Sequence, residues 1–208
     1  MISFEGAYQP FYCEENIYKA AEALLCSSHV KSIFVVVISN ELRKIPLFKQ
    51  RLRPDGPVVW DYHVILIYSD NEEKKSYEVL DYDSELSVTE PLSQPETRTV
   101  RLVEFSEYAS QTFRPELRLN PDYRRYYKCI DAEIFIKNFS SDRSHMLVKG
   151  STTEHSSPVP PWPTIQKAEM NNLDMFIDMS SADPYGVVLD EPAFLTRFGV
   201  HHDPSRGQ

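Results

Sequence analysis

The run Ser32-Ile33-Phe34-Val35-Val36-Val37-Ile38-Ser39 constrains this chain more than any other stretch. A strand with one face in water alternates apolar and polar residues. Here β-branched and aromatic residues follow one another without a polar break, and the run is too short for a buried helix. It predicts a central strand buried on both faces, and such a strand needs packed layers above and below it. A chain of 208 residues can bury one sizeable core and is short for two, so residues 1–208 are expected to form a single domain.

The neighbouring segments supply partners for that strand. Residues 1–10 read as a short arm, and Ile17, Ala20, Ala21, Leu24 and Leu25 recur at the three- and four-residue steps of one helix face, giving a helix from Cys13 to about Ser27. Ile45 to Arg51 reads as a short edge strand, because Pro46 cannot donate to a ladder. After the turn chemistry of Pro54-Asp55-Gly56-Pro57, Val58 to Tyr68 reads as one long strand, and Tyr77 to Tyr82 as its hairpin partner. Ser84–Gln94 reads as loop, Glu104–Phe113 as a short helix, Tyr126–Ile130 as a further strand, and Ala132–Phe139 as a helix. Ser140–Met146 is too polar for core and reads as a surface loop. The prolines around Trp162 suggest an extended loop anchored by that ring, and Leu173–Met179 and Glu191–Phe198 read as closing helices.

Cys13 stands where the first helix begins. Unpaired N–H groups and the positive end of the helix dipole favour an anion there, which raises the thiolate fraction. Two readings are open: a buried small hydrophobe, or a nucleophile. Glu14 and Glu15 oppose ionisation, and the helix start together with a neighbouring imidazolium is expected to outweigh them. A hairpin turn centred near Glu72 would set His63 opposite Asp81 with Cβ atoms about 5 Å apart. A slip of one residue in that register would separate them, leaving His63 a satisfied strand histidine.

Charge and cysteine content exclude several classes. Against 31 acidic residues stand 22 basic ones, a net charge of −9, which disfavours nucleic acid and anionic membranes and suits a cationic ligand such as an amine. Cys13, Cys26 and Cys129 show no zinc spacing and are odd in number, so neither a metal site nor a disulfide framework is expected, and Cys26 and Cys129 are assigned to packing. No secretory leader or bilayer-length apolar run is evident, so an intracellular protein is expected. His145 reads as a loop histidine, and His201 and His202 as tail residues without a role.

Cys13-Glu14-Glu15-Asn16, Ser39-Asn40-Glu41, Trp60-Asp61-Tyr62-His63-Val64, Leu80-Asp81-Tyr82-Asp83, Lys137-Asn138-Phe139, Ser141-Asp142-Arg143-Ser144-His145-Met146 and Arg197-Phe198-Gly199 together resemble the protein N-terminal glutamine amidohydrolase family. The resemblance spans nearly the whole chain. It implies a catalytic triad of Cys13, His63 and Asp81 in a monomeric α-β-α sandwich of the α/β (α+β) class, similar to papain and transglutaminase-like cysteine hydrolases. It also implies action in the cytosol and nucleus, where N-terminal glutamine becomes glutamate for the arginine branch of the N-degron pathway.

The residues suit that chemistry without a metal or organic cofactor. A thiolate attacks the glutamine side-chain carbonyl, ammonia leaves, and water hydrolyses the glutamyl thioester with one histidine serving both halves. The Cys13 N–H is a candidate oxyanion donor. Recognition of the substrate's α-ammonium is expected of Glu15 and Asp61, which lie close to the triad in sequence. The alternatives are a transglutaminase-like or papain-like enzyme acting on other amides, and a non-catalytic adaptor that binds N-termini.

Overall fold

The computed structural model describes residues 3–26, 32–69, 76–87, 97–180 and 184–200. In chain order, β1 (Ser3–Ala7) leads to α1 (Cys13–Leu25), β2 (Ser32–Ser39), β3 (Ile45–Leu47), β4 (Val58–Trp60), β5 (His63–Ser69), β6 (Glu78–Leu80), β7 (Thr97–Arg101) and β8 (Val103–Glu104). The second half adds α2 (Phe105–Tyr108), β9 (Tyr126–Asp131), α3 (Ala132–Asn138), β10 (Ser140–Ser141), β11 (Ile165–Gln166), α4 (Leu173–Ile177), β12 (Gly186–Asp190) and α5 (Glu191–Arg197).

A six-stranded sheet in the order β12-β9-β2-β5-β6-β8 forms the middle of the molecule, and its paired strands run antiparallel. The expected central strand, β2, lies between β9 and β5. Its odd residues Ile33, Val35 and Val37 join Val64 and Leu66 of β5 beneath α1, α3 and α4. Its even residues Val36 and Ile38 join Ile65 and Ile67 on the other face, against α2 and α5. Successive side chains of a strand point to opposite faces, so an unbroken apolar run requires helices on both. The class is therefore α+β with an antiparallel central sheet and helices on both sides. Each fully buried Val, Leu or Ile adds roughly 1.5–3 kcal/mol to the drive for this layering.

Departures from the sequence reading have local causes. The expected long strand Val58–Tyr68 breaks at Asp61-Tyr62, where the Asp61 carboxylate accepts the Tyr62 N–H at 2.9 Å and the Asp61 carbonyl accepts the Ser39 hydroxyl at 2.7 Å. β4 pairs with β3 in a separate ladder, and only β5 joins the main sheet. The expected edge strand shrinks to Ile45–Leu47. The Glu104–Phe113 helix divides into α2 and a wider π turn, Ala109–Phe113, ending on Arg114 in the left-handed region. The arm carries β1, paired with β7, and β12 forms a sheet edge that no sequence pattern announced.

Cys129 is buried on the α5 face, where burial pushes its thiol up to about 12, as a packing residue requires. Cys26 is exposed at the end of α1, which corrects its assignment to packing: the helix turns this position outward after Leu24. Among the described residues, no helix is long and apolar enough to cross a membrane. The hairpin turn near Glu72 and the tail histidines His201 and His202 lie outside the described residues.

Candidate active site

Cys13 is the first residue of α1. The buried Asn16 amide fixes the approach to the helix, donating to the Gln9 carbonyl and accepting the Gln9 N–H, both at 2.9 Å. Phe11, with φ 68°, turns the chain into Tyr12, and no side chain caps the helix. The first-turn N–H groups beside Cys13 are thus left without side-chain capping.

His63 opens β5 and Asp81 follows β6 directly. Facing residues of these strands sum to 146, as in Leu66↔Leu80 and Tyr68↔Glu78, and not to the expected 144. Asp81 therefore sits diagonal to His63 instead of directly opposite. A shift of two preserves the face, and the side chains still meet: His63 Nε2 lies 2.9 Å from Asp81 Oδ1. The other carboxylate oxygen accepts the Tyr108 hydroxyl at 2.7 Å and the Gln50 amide at 3.2 Å, while the Asp83 N–H donates to Oδ1 at 3.0 Å. Trp60 donates to Gln50 at 3.2 Å and stacks on the His63 ring at 5.4 Å between centroids. One face of the ring and both carboxylate oxygens are thereby oriented by their surroundings.

The charges follow from these contacts. Burial disfavours a charged His63, but the facing Asp81 outweighs it and raises the pKa above its ordinary value. Burial likewise works against an ionised Asp81, yet His63 and the Tyr108 hydrogen bond hold it below the usual carboxylate range. Cys13 departs from expectation. Burial, followed by the Glu14 and Asp83 carboxylates, pushes its thiol well above the ordinary range, and the Val64 N–H only partly offsets them. The helix start is opposed by the partial burial of Cys13 and by Glu14 Oε2, 3.7 Å from the sulfur.

Cys13 and His63 line one cavity of about 340 Å³ together with Phe11, Trp60, Asp61 and His145. His63 Nδ1 is buried without a hydrogen-bond partner. Asp61 and Asp174 are exposed at the cavity, and Asp83 is half-buried in its wall, accepting the Tyr8 hydroxyl at 2.7 Å. Glu15 is not brought there. It is fully buried, held by Arg143 through Nε and Nη2 at 2.8 Å each and by the Trp162 indole at 2.8 Å, so its carboxylate is committed away from any ligand. His63, Asp81 and Asp83 also present possible metal-ligand atoms within 4.8 Å of one another, but two of these groups are already hydrogen-bonded together.

Several residues of the site escaped the sequence reading. The Ser140–Met146 segment is partly core, with Ser140, Ser141 and Arg143 buried, because a partner 128 positions away receives the guanidinium. His145 is exposed on its short turn, as expected of a loop histidine, yet its side chain also lines the cavity with Nε2 3.4 Å from Glu14 Oε1. Gln50 and Tyr108 carry no local signal at all. Trp60 and Tyr62 stood in the Trp-Asp-Tyr-His string that also holds His63.

Comparison with known proteins bears directly on this geometry. The family model for N-terminal glutamine amidase matches residues 8–198, which contain every residue named above as lining the cavity. The chain belongs to the N-terminal glutamine amidase family. It is 38% identical to the protein N-terminal glutamine amidohydrolase of Caenorhabditis briggsae, over 92% of this chain and 95% of that protein. The human protein of the same name is 35% identical over 92% of this chain and 87% of its own length. That of Arabidopsis thaliana is 36% identical over 85% and 76%.

Proposed function

We propose that this chain hydrolyses the side-chain amide of N-terminal glutamine in proteins and peptides, releasing ammonia and leaving N-terminal glutamate. The observation that carries the reading is the state of His63. Its Nε2 is tied to Asp81, and its Nδ1 is left unpartnered on a ring that shares a cavity with Cys13. An imidazole so oriented has one nitrogen committed to a carboxylate and the other free to carry a proton for the reacting atoms.

The steps balance without a further reactant. His63 takes the Cys13 proton as sulfur attacks the side-chain carbonyl, and it returns that proton to nitrogen as the C–N bond breaks and ammonia departs. Water then adds to the glutamyl thioester, with the same imidazole as base, and expels the thiol. Asp81 stabilises the imidazolium in both halves. Burial and the Glu14 and Asp83 carboxylates push the Cys13 thiol above its ordinary range, so removal of its proton is assigned to His63 during attack.

A cavity-wall carboxylate at a fixed distance from sulfur would bind the α-ammonium. Asp61 is assigned this role because it is exposed to the cavity and backbone-anchored by Ser39; Glu15 is withdrawn from it. Asparagine, one methylene shorter, would then place its carbonyl about 1 Å or more short of attack, a misplacement that can cost 10²-fold. The papain and transglutaminase-like layering, action as a monomer in the cytosol and nucleus, and supply of N-terminal glutamate to the arginine branch of the N-degron pathway belong to the same proposal and rest on the family resemblance. The test is ammonia release from peptides beginning with Gln, Asn and acetyl-Gln. Turnover of Gln-peptides alone supports the reading. Comparable turnover of acetyl-Gln removes ammonium recognition, and cross-linked or cleaved products would point to a transglutaminase-like or papain-like enzyme.

A further inference from the structure

Glu14 is a buried acid, 1% exposed, in a place where its charge should harm a thiol enzyme. Its Oε2 lies 3.7 Å from the Cys13 sulfur and 3.0 Å from the Tyr62 hydroxyl. Its Oε1 is buried without a hydrogen bond, and His145 Nε2 lies 3.4 Å from it. A carboxylate this close to a sulfur that must become negative opposes ionisation, and low polarisability around both groups strengthens the opposition.

We propose that His145 is a positioning residue that acts on Cys13 through Glu14: its imidazolium neutralises the carboxylate lying against the sulfur and so permits a thiolate there. The proposal rests on the thiol-enzyme reading above and extends it to a second imidazole.

The surroundings of His145 favour its charged form. Glu14 and Glu15 face it from α1 and Asp61 from the turn before β5, while Tyr12 meets it edge-on at 6.3 Å. Arg143, two residues earlier, is bound to Glu15. Burial disfavours an imidazolium here, but Glu14, with Glu15 and Asp61, outweighs it and raises the pKa of His145 above its ordinary value. Around the sulfur, Glu14, Asp83 and Asp61 disfavour thiolate and the Val64 N–H favours it. Glu14 is the acid adjacent to the sulfur and the one His145 touches, so the cation reaches the nucleophile through it.

The test follows the ionisation of Cys13 itself, independently of turnover. In a Cys26→Ser background, which removes the exposed thiol, the rate of iodoacetamide labelling at Cys13 is measured against pH by peptide-resolved mass spectrometry. His145→Gln should move the labelling midpoint upward by at least about one unit, slowing labelling at neutral pH about tenfold. Glu14→Gln should label no more slowly than the parent. The double variant Glu14→Gln/His145→Gln should match Glu14→Gln to within about twofold, because the charge that His145 cancels is gone. Parental labelling in His145→Gln overturns the proposal, and so does an equal loss in the Glu14→Gln background. If His145→Gln fails to melt cooperatively, Glu14→Gln decides alone, since slower labelling there contradicts the assigned sign. A parent protein that labels at Cys13 with the expected variant shifts but releases no ammonia from Gln-peptides would count against the proposed function and leave this inference standing.

Discussion

Removing Arg143 should cost this protein much of its stability, because Glu15 would be left buried and charged. The guanidinium gives Glu15 two bonds of 2.8 Å and also donates to the carbonyls of Trp162 at 2.9 Å and Pro160 at 3.4 Å. It thereby joins α1 to the proline-rich segment. In Arg143→Met the indole of Trp162 still donates to a carboxylate with no exposure, but the two guanidinium bonds are gone. Breaking one side of a buried pair typically costs on the order of 3–5 kcal/mol. For a domain of this size, each kcal/mol lowers Tm by about 2–4 °C, so a fall of about 6–20 °C is expected in a thermal melt. Glu15→Gln/Arg143→Met should lose less than the sum of its single variants, since no unpaired charge remains. Glu15→Gln should act on Tm and leave KM for Gln-peptides unchanged, contrary to a substrate-binding role. A melt of Arg143→Met within about 2 °C of the parent would refute the reasoning.

Asp81→Asn should retain the fold and lose on the order of 10⁴-fold in kcat, because the amide holds the imidazole in the wrong tautomer; near-normal turnover would remove Asp81 from the site. Tyr108→Phe takes a 2.7 Å donor from Asp81 and should cost about 1.5–3 kcal/mol, measured by denaturant unfolding. Asp61→Asn should raise KM for Gln-peptides with a smaller change in kcat, and an unchanged KM would place the ammonium elsewhere along the cavity wall. The His63–Asp81 pair also sets a pH window. Asp81 is lowered in the fold, so its contribution is present above the unfolded value of about 4 and is lost as pH falls through the folded value. His63 is raised, so its contribution is complete below about 6.5 and is lost as pH rises through the folded value. The Tm difference between the parent and His63→Asn should therefore be largest between about pH 4 and 6.5 and shrink on either side.

What could be read from the sequence were features whose cause is local. The apolar run of β2 implied two covering layers, and the spacing from Ile17 to Leu24 implied the face of α1 that packs on the sheet. Cys13 and His63 were visible from their elements, and Asp81 survived an error in register because a shift of two keeps the same face. What stayed hidden depends on partners remote in sequence. Arg143 looked like surface because nothing near it announces Glu15, and Glu15 looked available because nothing near it announces Arg143. Gln50 and Tyr108 reach Asp81 across 31 and 27 positions. The environment of Cys13 is hidden for a similar reason: the helix start is a local feature, whereas the partial burial of the sulfur and the approach of Asp83 belong to the assembled site.

The central claim, attack by Cys13 on a terminal carboxamide, is open to a direct measurement. A Gln-peptide mixed with excess enzyme and quenched in acid before turnover is complete should leave a covalent adduct, detectable by mass spectrometry as the peptide less ammonia. The adduct should map to Cys13, be absent from Cys13→Ala, and disappear with hydroxylamine, which cleaves thioesters. An adduct on Cys26 or Cys129, or ammonia release by Cys13→Ala at the parental rate, would contradict it.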